Sequence, residues 1–91
     1  MLQIELIPDL THCIETVTKR EYEETMRQLL AGGAESDEQL GKKFEILRIF
    51  LEAMDFKRLR QESEKYLVEG RTVKFMFYLE DGAPEYQMRV T

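Results

Sequence analysis

Two runs of alternating apolar and polar residues near the C-terminal end predict a β-hairpin with one apolar face. The apolar positions are Val73, Phe75, Phe77, Leu79, Tyr86, Met88 and Val90. Side chains on a strand point to opposite faces in turn, and Asp81-Gly82 is a common hairpin turn. Two registers fit this pattern: a two-residue turn sets Lys74 against Arg89, and a four-residue turn from Asp81 to Pro84 sets Glu80 against Glu85. Both registers keep the same faces.

The N-terminal residues predict a third strand. Leu2, Ile4 and Leu6 alternate with polar residues, and Pro8 ends the run because it has no N–H to donate to a sheet. A hairpin alone is only marginally stable in water. We therefore expect this strand to pair with the hairpin and helices to pack on one face of the sheet.

Residues 9–31 contain two apolar stripes that point in different directions. Each stripe has the spacing of one helical face. The first consists of Leu10, Cys13, Ile14 and Val17, and the second of Tyr22, Met26, Leu29 and Leu30. We expect two segments with a break at Thr18, which forms a capping box with Glu21. Residues 9–17 are rich in β-branched side chains and fit a helix or a strand, with the helix favoured.

Two more helices are predicted before the hairpin. Gly32 and Gly33 end the preceding helix, and Ser36 with Gln39 forms a capping box for the next one. Its apolar arc is broad, which predicts a central, buried helix, and consists of Leu40, Phe44, Ile46, Leu47, Ile49, Phe50, Leu51 and Met54. The stripe then changes direction. This predicts a break over residues 54–56, with Asp55 as N-cap, and a last helix that ends at Gly70.

These elements predict an α+β fold in a single domain over residues 1–91. The expected sheet has three antiparallel strands, the N-terminal strand plus the C-terminal hairpin, and three to four helices pack on one face. The chain has 91 residues, of which 43% are hydrophobic and 34% are charged, so one modest core can form. The order of the strands beyond the hairpin stays open.

The single cysteine and the weak N-terminal hydrophobicity favour a cytoplasmic protein. A secreted domain of this size more often has several cysteines. The first residues are too acidic for a signal peptide, and no apolar run approaches the ~20 residues of a membrane span. We therefore expect no membrane partner.

The net charge argues against nucleic acid as a partner. The formal charge is −5, whereas nucleic-acid binding depends on Lys and Arg side chains that neutralise phosphates. One basic segment, residues 57–74, departs from this average. Its cations are Lys57, Arg58, Arg60, Lys65, Arg71 and Lys74. A solvated surface of mixed charge is the simpler interpretation, and a site for an anionic ligand or nucleic acid is the alternative.

The sequence predicts neither a catalytic nor a cofactor or metal site. Neighbouring residues such as His12 and Cys13 point apart, and Cys13 lies on an apolar stripe, so core packing is favoured over a reactive thiol or a metal ligand. The acidic residues 35–38 suit helix capping better than calcium binding. Gly41-Lys42 lacks the residues of a phosphate-binding loop. We expect a protein that is not an enzyme.

The second face of the hairpin is the main functional candidate. A sheet covered by helices on one side leaves this face open, and Tyr, Met and Arg are enriched in protein interfaces. The candidate interface residues are Lys74, Met76, Tyr78, Gln87 and Arg89. The sequence therefore predicts a non-enzymatic interaction module or homodimer. The contact surface is this face, a sheet edge, or the surplus apolar arc of the central helix, although an ordinary exposed face fits the same residues.

Overall fold

The computed structural model describes residues 2–32 and 36–91, which form three strands and three helices. In chain order they are β1 (Gln3–Leu6), α1 (Ile14–Ala31), α2 (Asp37–Ala53), α3 (Phe56–Val68), β2 (Val73–Glu80) and β3 (Ala83–Val90). The strands form one antiparallel sheet in the order β1-β2-β3. The predicted α+β fold is confirmed, including the pairing of the N-terminal strand with the hairpin.

The hairpin has a two-residue turn. Asp81 and Gly82 both have a positive φ, 52° and 79°, as a tight hairpin turn with the twist of its strands requires. Glu80 is consequently opposite Ala83, and Lys74 is opposite Arg89. Of the two predicted registers, the one with the two-residue turn is therefore correct.

The core lies between the helices and one face of the sheet. Val73, Phe75 and Phe77 of β2 are fully buried, and Phe77 stacks on Phe50 of α2 with ring centroids 4.1 Å apart. Ile4 of β1 joins the same cluster. The expectation that α2 is the central buried helix is confirmed, because its apolar side chains contribute most of the helical side of this core.

The predicted break at Thr18 is wrong, because α1 is one continuous helix. It begins only at Ile14, and the residues before it form a turn in which the Asp9 carboxylate accepts the N–H groups of Thr11 and His12 at 2.8 and 2.7 Å. Thr18 is buried, and its hydroxyl donates to the carbonyl of Ile14 at 2.7 Å. The chain thus has three helices in its described part and not four.

The missed continuity of α1 has a physical cause. Its buried face includes Thr18 and Thr25, which are 0% and 1% exposed, beside Ile14. Met26 and Leu30, two of the four residues of the second predicted stripe, are exposed instead. Two threonines on the buried face therefore made one helical face look like two.

The other predicted helix ends are confirmed where the structure describes them. The Ser36 hydroxyl accepts the N–H of Gln39 at 3.3 Å, and the Asp55 carboxylate accepts the N–H of Arg58 at 3.2 Å. Gly70, which follows the C-cap residue Glu69 of α3, has a φ of 80°, a conformation that suits glycine. The predicted roles of Gly33 and Glu35 lie outside the described residues.

Candidate functional site

The candidate interface residues lie together on the open face of the sheet. Register places Lys74 opposite Arg89, and Met76 between Gln87 of β3 and Glu5 of β1. Met76 and Tyr78 are half-buried in the middle strand. The surrounding positions are charged or polar, so this face has only a small apolar centre. Its use as an interface stays a prediction.

The opposite face of the sheet is covered unequally by the helices. The core-facing residues of β2 from Val73 to Phe77 are fully buried, whereas Tyr86, Met88 and Val90 of β3 are only half-buried. Tyr86 packs beside Phe75, with ring centroids 6.0 Å apart, and keeps part of its surface exposed. The helical layer therefore ends over β3 and leaves apolar surface there.

The outer edge of β3 adds unpaired backbone groups to this apolar surface. In the sheet order β1-β2-β3, β3 has a neighbour on one side only. It has 8 residues, while β1, at the other edge, has 4. An uncovered edge strand presents a row of N–H and C=O groups that can pair with another chain. The longer edge and the partly exposed apolar side chains occur on the same strand.

The charged residues of β3 have no ion-pair partner among the described residues. Lys74 is opposite Arg89, which is a repulsive pairing, but its ammonium lies 3.7 Å from the carboxylate of Glu5. Arg89 and Glu85 therefore remain as a free cation and a free anion along one exposed strand.

The structure does not bring the basic segment together into one site. Arg58 pairs with Glu62 at 3.2 Å and Arg60 with Glu64 at 4.0 Å. Lys74 lies on the open sheet face, on the far side of the sheet from α3. Lys65 and Arg71 flank one aromatic ring, that of Tyr66, at 5.2 and 5.5 Å from its centroid. Within the described chain, acidic neighbours thus offset part of this positive charge.

Cys13 does not pack in the core as expected. It is half-exposed at the N-cap of α1 and lines a groove of about 330 Å³ between the β1–α1 turn and α3. The Thr16 hydroxyl, 3.3 Å from the sulfur, lowers the pKa of the thiol, helped by the N–H groups of Thr16 and Glu15 and by Arg60. Leu10, predicted on the same stripe, is also exposed. Both errors follow from the late start of α1.

Several polar groups on the walls of the groove are already paired with their own neighbours. Ser63 is buried on its wall, and its hydroxyl already donates to the carbonyl of Arg60 at 3.0 Å. Nδ1 of His12 lies 3.5 Å from the carboxylate of Asp9. In residues 2–32 and 36–91, no three His, Cys, Asp or Glu side chains are placed to hold a metal ion together.

Comparison with known proteins places the chain in a family. One protein-family model matches residues 1–86, which include β1, the helices and most of the hairpin. The chain belongs to this uncharacterised family. No curated protein and no solved structure matches the chain. We therefore infer the function from the geometry of the molecule.

The uneven cover over β3 is the feature that sequence reasoning missed. Alternation predicted which face of β3 is apolar, but it contains no information on how far the helices extend across the sheet. One signal was present: β2 has Phe75 and Phe77 on its apolar face, whereas β3 has the more amphipathic Tyr86 and the flexible Met88. In the described part of the chain, no helix has the length and apolar character needed to cross a membrane.

Proposed function

We propose that the protein is a cytoplasmic, non-enzymatic interaction module that self-associates through its sheet, with β3 as the contact strand. The observation that carries this proposal is the half-exposed apolar row of Tyr86, Met88 and Val90 beside an unpaired strand edge. Burying that row against another molecule removes apolar surface from water, and strand pairing satisfies the open backbone groups. A second copy meets both needs.

The other predicted contact surfaces have less support. The apolar arc of α2 is largely used within the fold, because Ile46, Leu47 and Phe50 are buried. The open sheet face has Met76 and Tyr78 at its centre, but charged and polar residues surround them. We propose this face as a secondary surface, for a second copy or for another protein partner.

Sedimentation equilibrium from low micromolar to submillimolar concentration tests self-association directly. We expect the weight-average mass to rise from one chain towards two, because a short strand interface is smaller than that of a tight dimer. A mass of one chain at every concentration would contradict the proposal. The double variant Met76→Lys with Tyr78→Lys tests the secondary surface: an unchanged association constant assigns the contact to β3 alone.

Binding of an anionic ligand or nucleic acid at residues 57–74 is a weaker proposal. The ion pairs of Arg58, Arg60 and Lys74 with neighbouring carboxylates reduce the charge available to a phosphate. This alternative predicts salt-dependent association that weakens when Arg58 and Arg60 are replaced. A filter-binding assay at low salt with single-stranded and double-stranded nucleic acid tests it, and no binding there would count against it.

A further inference from the structure

The hydrogen-bond pattern of the hairpin shows which groups of β3 are open to pairing. Thr72 and Thr91 exchange both of their backbone hydrogen bonds, at 3.0 and 2.9 Å. In an antiparallel pair, bonded and non-bonded residue pairs alternate. Counting from Thr91, the N–H and C=O groups of Val90, Met88 and Tyr86 point away from β2, to the outer edge. These three residues also have the half-exposed apolar side chains.

The faces of the strand restrict how a second copy can pair with this edge. Side chains opposite each other in a sheet must lie on the same face, so only registers centred on a residue preserve the apolar and polar faces. A twofold axis at Gln87 sets Tyr86 of each copy opposite Met88 of the other. Both residues have outward N–H and C=O groups, so they would exchange a full pair of hydrogen bonds.

Charge selects the register centred on Gln87. This register sets Glu85 of each copy directly opposite Arg89 of the other, and the twofold axis makes two such pairs. A register centred on Tyr86 sets Glu85 opposite Gln87, and one centred on Met88 sets Gln87 opposite Arg89, so neither joins the two charges. Pro84, which has no N–H, falls opposite Val90 at the end of the pairing, where one missing donor has a small effect.

We propose that a second copy of this chain pairs its β3 antiparallel to β3, centred on Gln87, with Glu85 and Arg89 forming reciprocal ion pairs. This inference rests on the self-association proposed above. The twofold axis is perpendicular to the sheet, so the helices of both copies lie on the same side of one continuous sheet. Tyr86 of each copy then covers Met88 of the other, on the part of the sheet that the helices leave uncovered. Charged residues on an edge strand usually discourage pairing with another chain, but Glu85 and Arg89 favour pairing in this one register.

Charge reversal of the two residues tests the register. Glu85→Arg alone sets two arginines together at each end of the pairing, and Arg89→Glu alone sets two glutamates together. We expect each single variant to associate about tenfold more weakly than the native chain, because two favourable pairs become repulsive. An equimolar mixture of the two single variants restores both opposite-charge pairs. We expect the mixture to regain native affinity as a heterodimer, and the double variant Glu85→Arg with Arg89→Glu to regain it alone.

The controls separate failure of the register from failure of self-association. Glu80→Arg makes the same change in net charge as Glu85→Arg, on the same face of the sheet but away from the paired residues. It should leave association unchanged. Circular dichroism of each variant confirms its fold. Two outcomes would overturn the register and leave self-association standing. In the first, the single variants associate as strongly as the native chain; in the second, their mixture associates as weakly as each variant alone. A native chain that is monomeric throughout overturns both proposals.

Discussion

β2 and β3 belong to one hairpin with one alternating pattern, yet they differ in what covers them. Phe75 and Phe77 of β2 are fully buried under the helices, and Phe77 stacks on Phe50. Tyr86 and Met88 point to the same face from β3 and stay half-exposed. β2 has a strand on each side, whereas β3 has one on one side only. The strand that lacks a neighbour also lacks a complete helical cover.

This difference shows that a strand's face and its burial are separate properties. Face follows from the alternation of side chains, which is local. Burial depends on where α1, α2 and α3 end over the sheet, which no local pattern specifies. We expect β2 to hold the fold together and β3 to be available for association, so changes in the two strands should affect different measurements.

The largest expected effect is the loss of Phe77. Phe77→Ala removes a fully buried ring from the centre of the core and should lower the free energy of unfolding by about 3–5 kcal/mol. Met88→Ala, on the same face of β3, should lower it by only about 1–2 kcal/mol, because that side chain is only partly buried. Urea denaturation of dilute samples measures both. Equal losses would contradict the difference in cover.

Gly82 joins the two strands, and its substitution should loosen their pairing. A Cβ there meets nothing within 4 Å, so the effect of Gly82→Ala comes from the backbone, whose φ is 79°. We expect a loss of about 1 kcal/mol in the free energy of unfolding. Gly41→Ala, within helix α2 and equally free of contacts, is the matched control. Gly41→Ala should raise the free energy of unfolding by roughly 0.5–1 kcal/mol. A loss of stability in both variants would contradict the explanation from the positive φ of Gly82.

Thr25 tests whether the buried face of α1 is free of water. Its hydroxyl is buried and has no hydrogen-bond partner among the described residues. Thr25→Val keeps the shape and removes the unsatisfied group, so it should raise the free energy of unfolding by about 1 kcal/mol. Thr18→Val removes a hydroxyl that does have a partner, the carbonyl of Ile14, and should not stabilise the protein. Thermal denaturation of both variants decides the point.

The smallest expected effect is on the open face. Glu5→Gln removes the ion pair with Lys74, whose partners are both substantially exposed, and should lower stability by only a few tenths of a kcal/mol. Raising the salt concentration should remove even this difference. A loss comparable to that of Gly82→Ala in the same denaturation assay would mean that the open face contributes to the fold more than its exposure implies.

Sequence predicted the fold well where the pattern was local and apolar. The alternation around Phe75 and Phe77 identified the hairpin and both of its faces, and Asp55 was correctly assigned as the cap of α3. The prediction failed where buried residues are polar. Thr18 and Thr25 lie on the buried face of α1, so their polarity suggested a break that does not exist.

The candidate site was predictable only in part, for a related reason. Membership of Met76 and Tyr78 in one open face follows from alternation, and the structure places them there. The half-exposed row on β3 depends on the extent of the helices, and the exposure of Cys13 depends on the start of α1 at Ile14. Both are properties of packing between elements that are distant in sequence.

Concentration-dependent hydrogen exchange of the β3 amides tests the central claim most directly. The N–H groups of Tyr86, Met88 and Val90 point to the free edge, whereas those of Glu85, Gln87 and Arg89 point to β2. We predict that the first set exchanges rapidly in dilute samples and becomes protected as concentration rises, while the second set is protected throughout. Rapid exchange of Tyr86, Met88 and Val90 at every concentration would contradict the proposed role of β3.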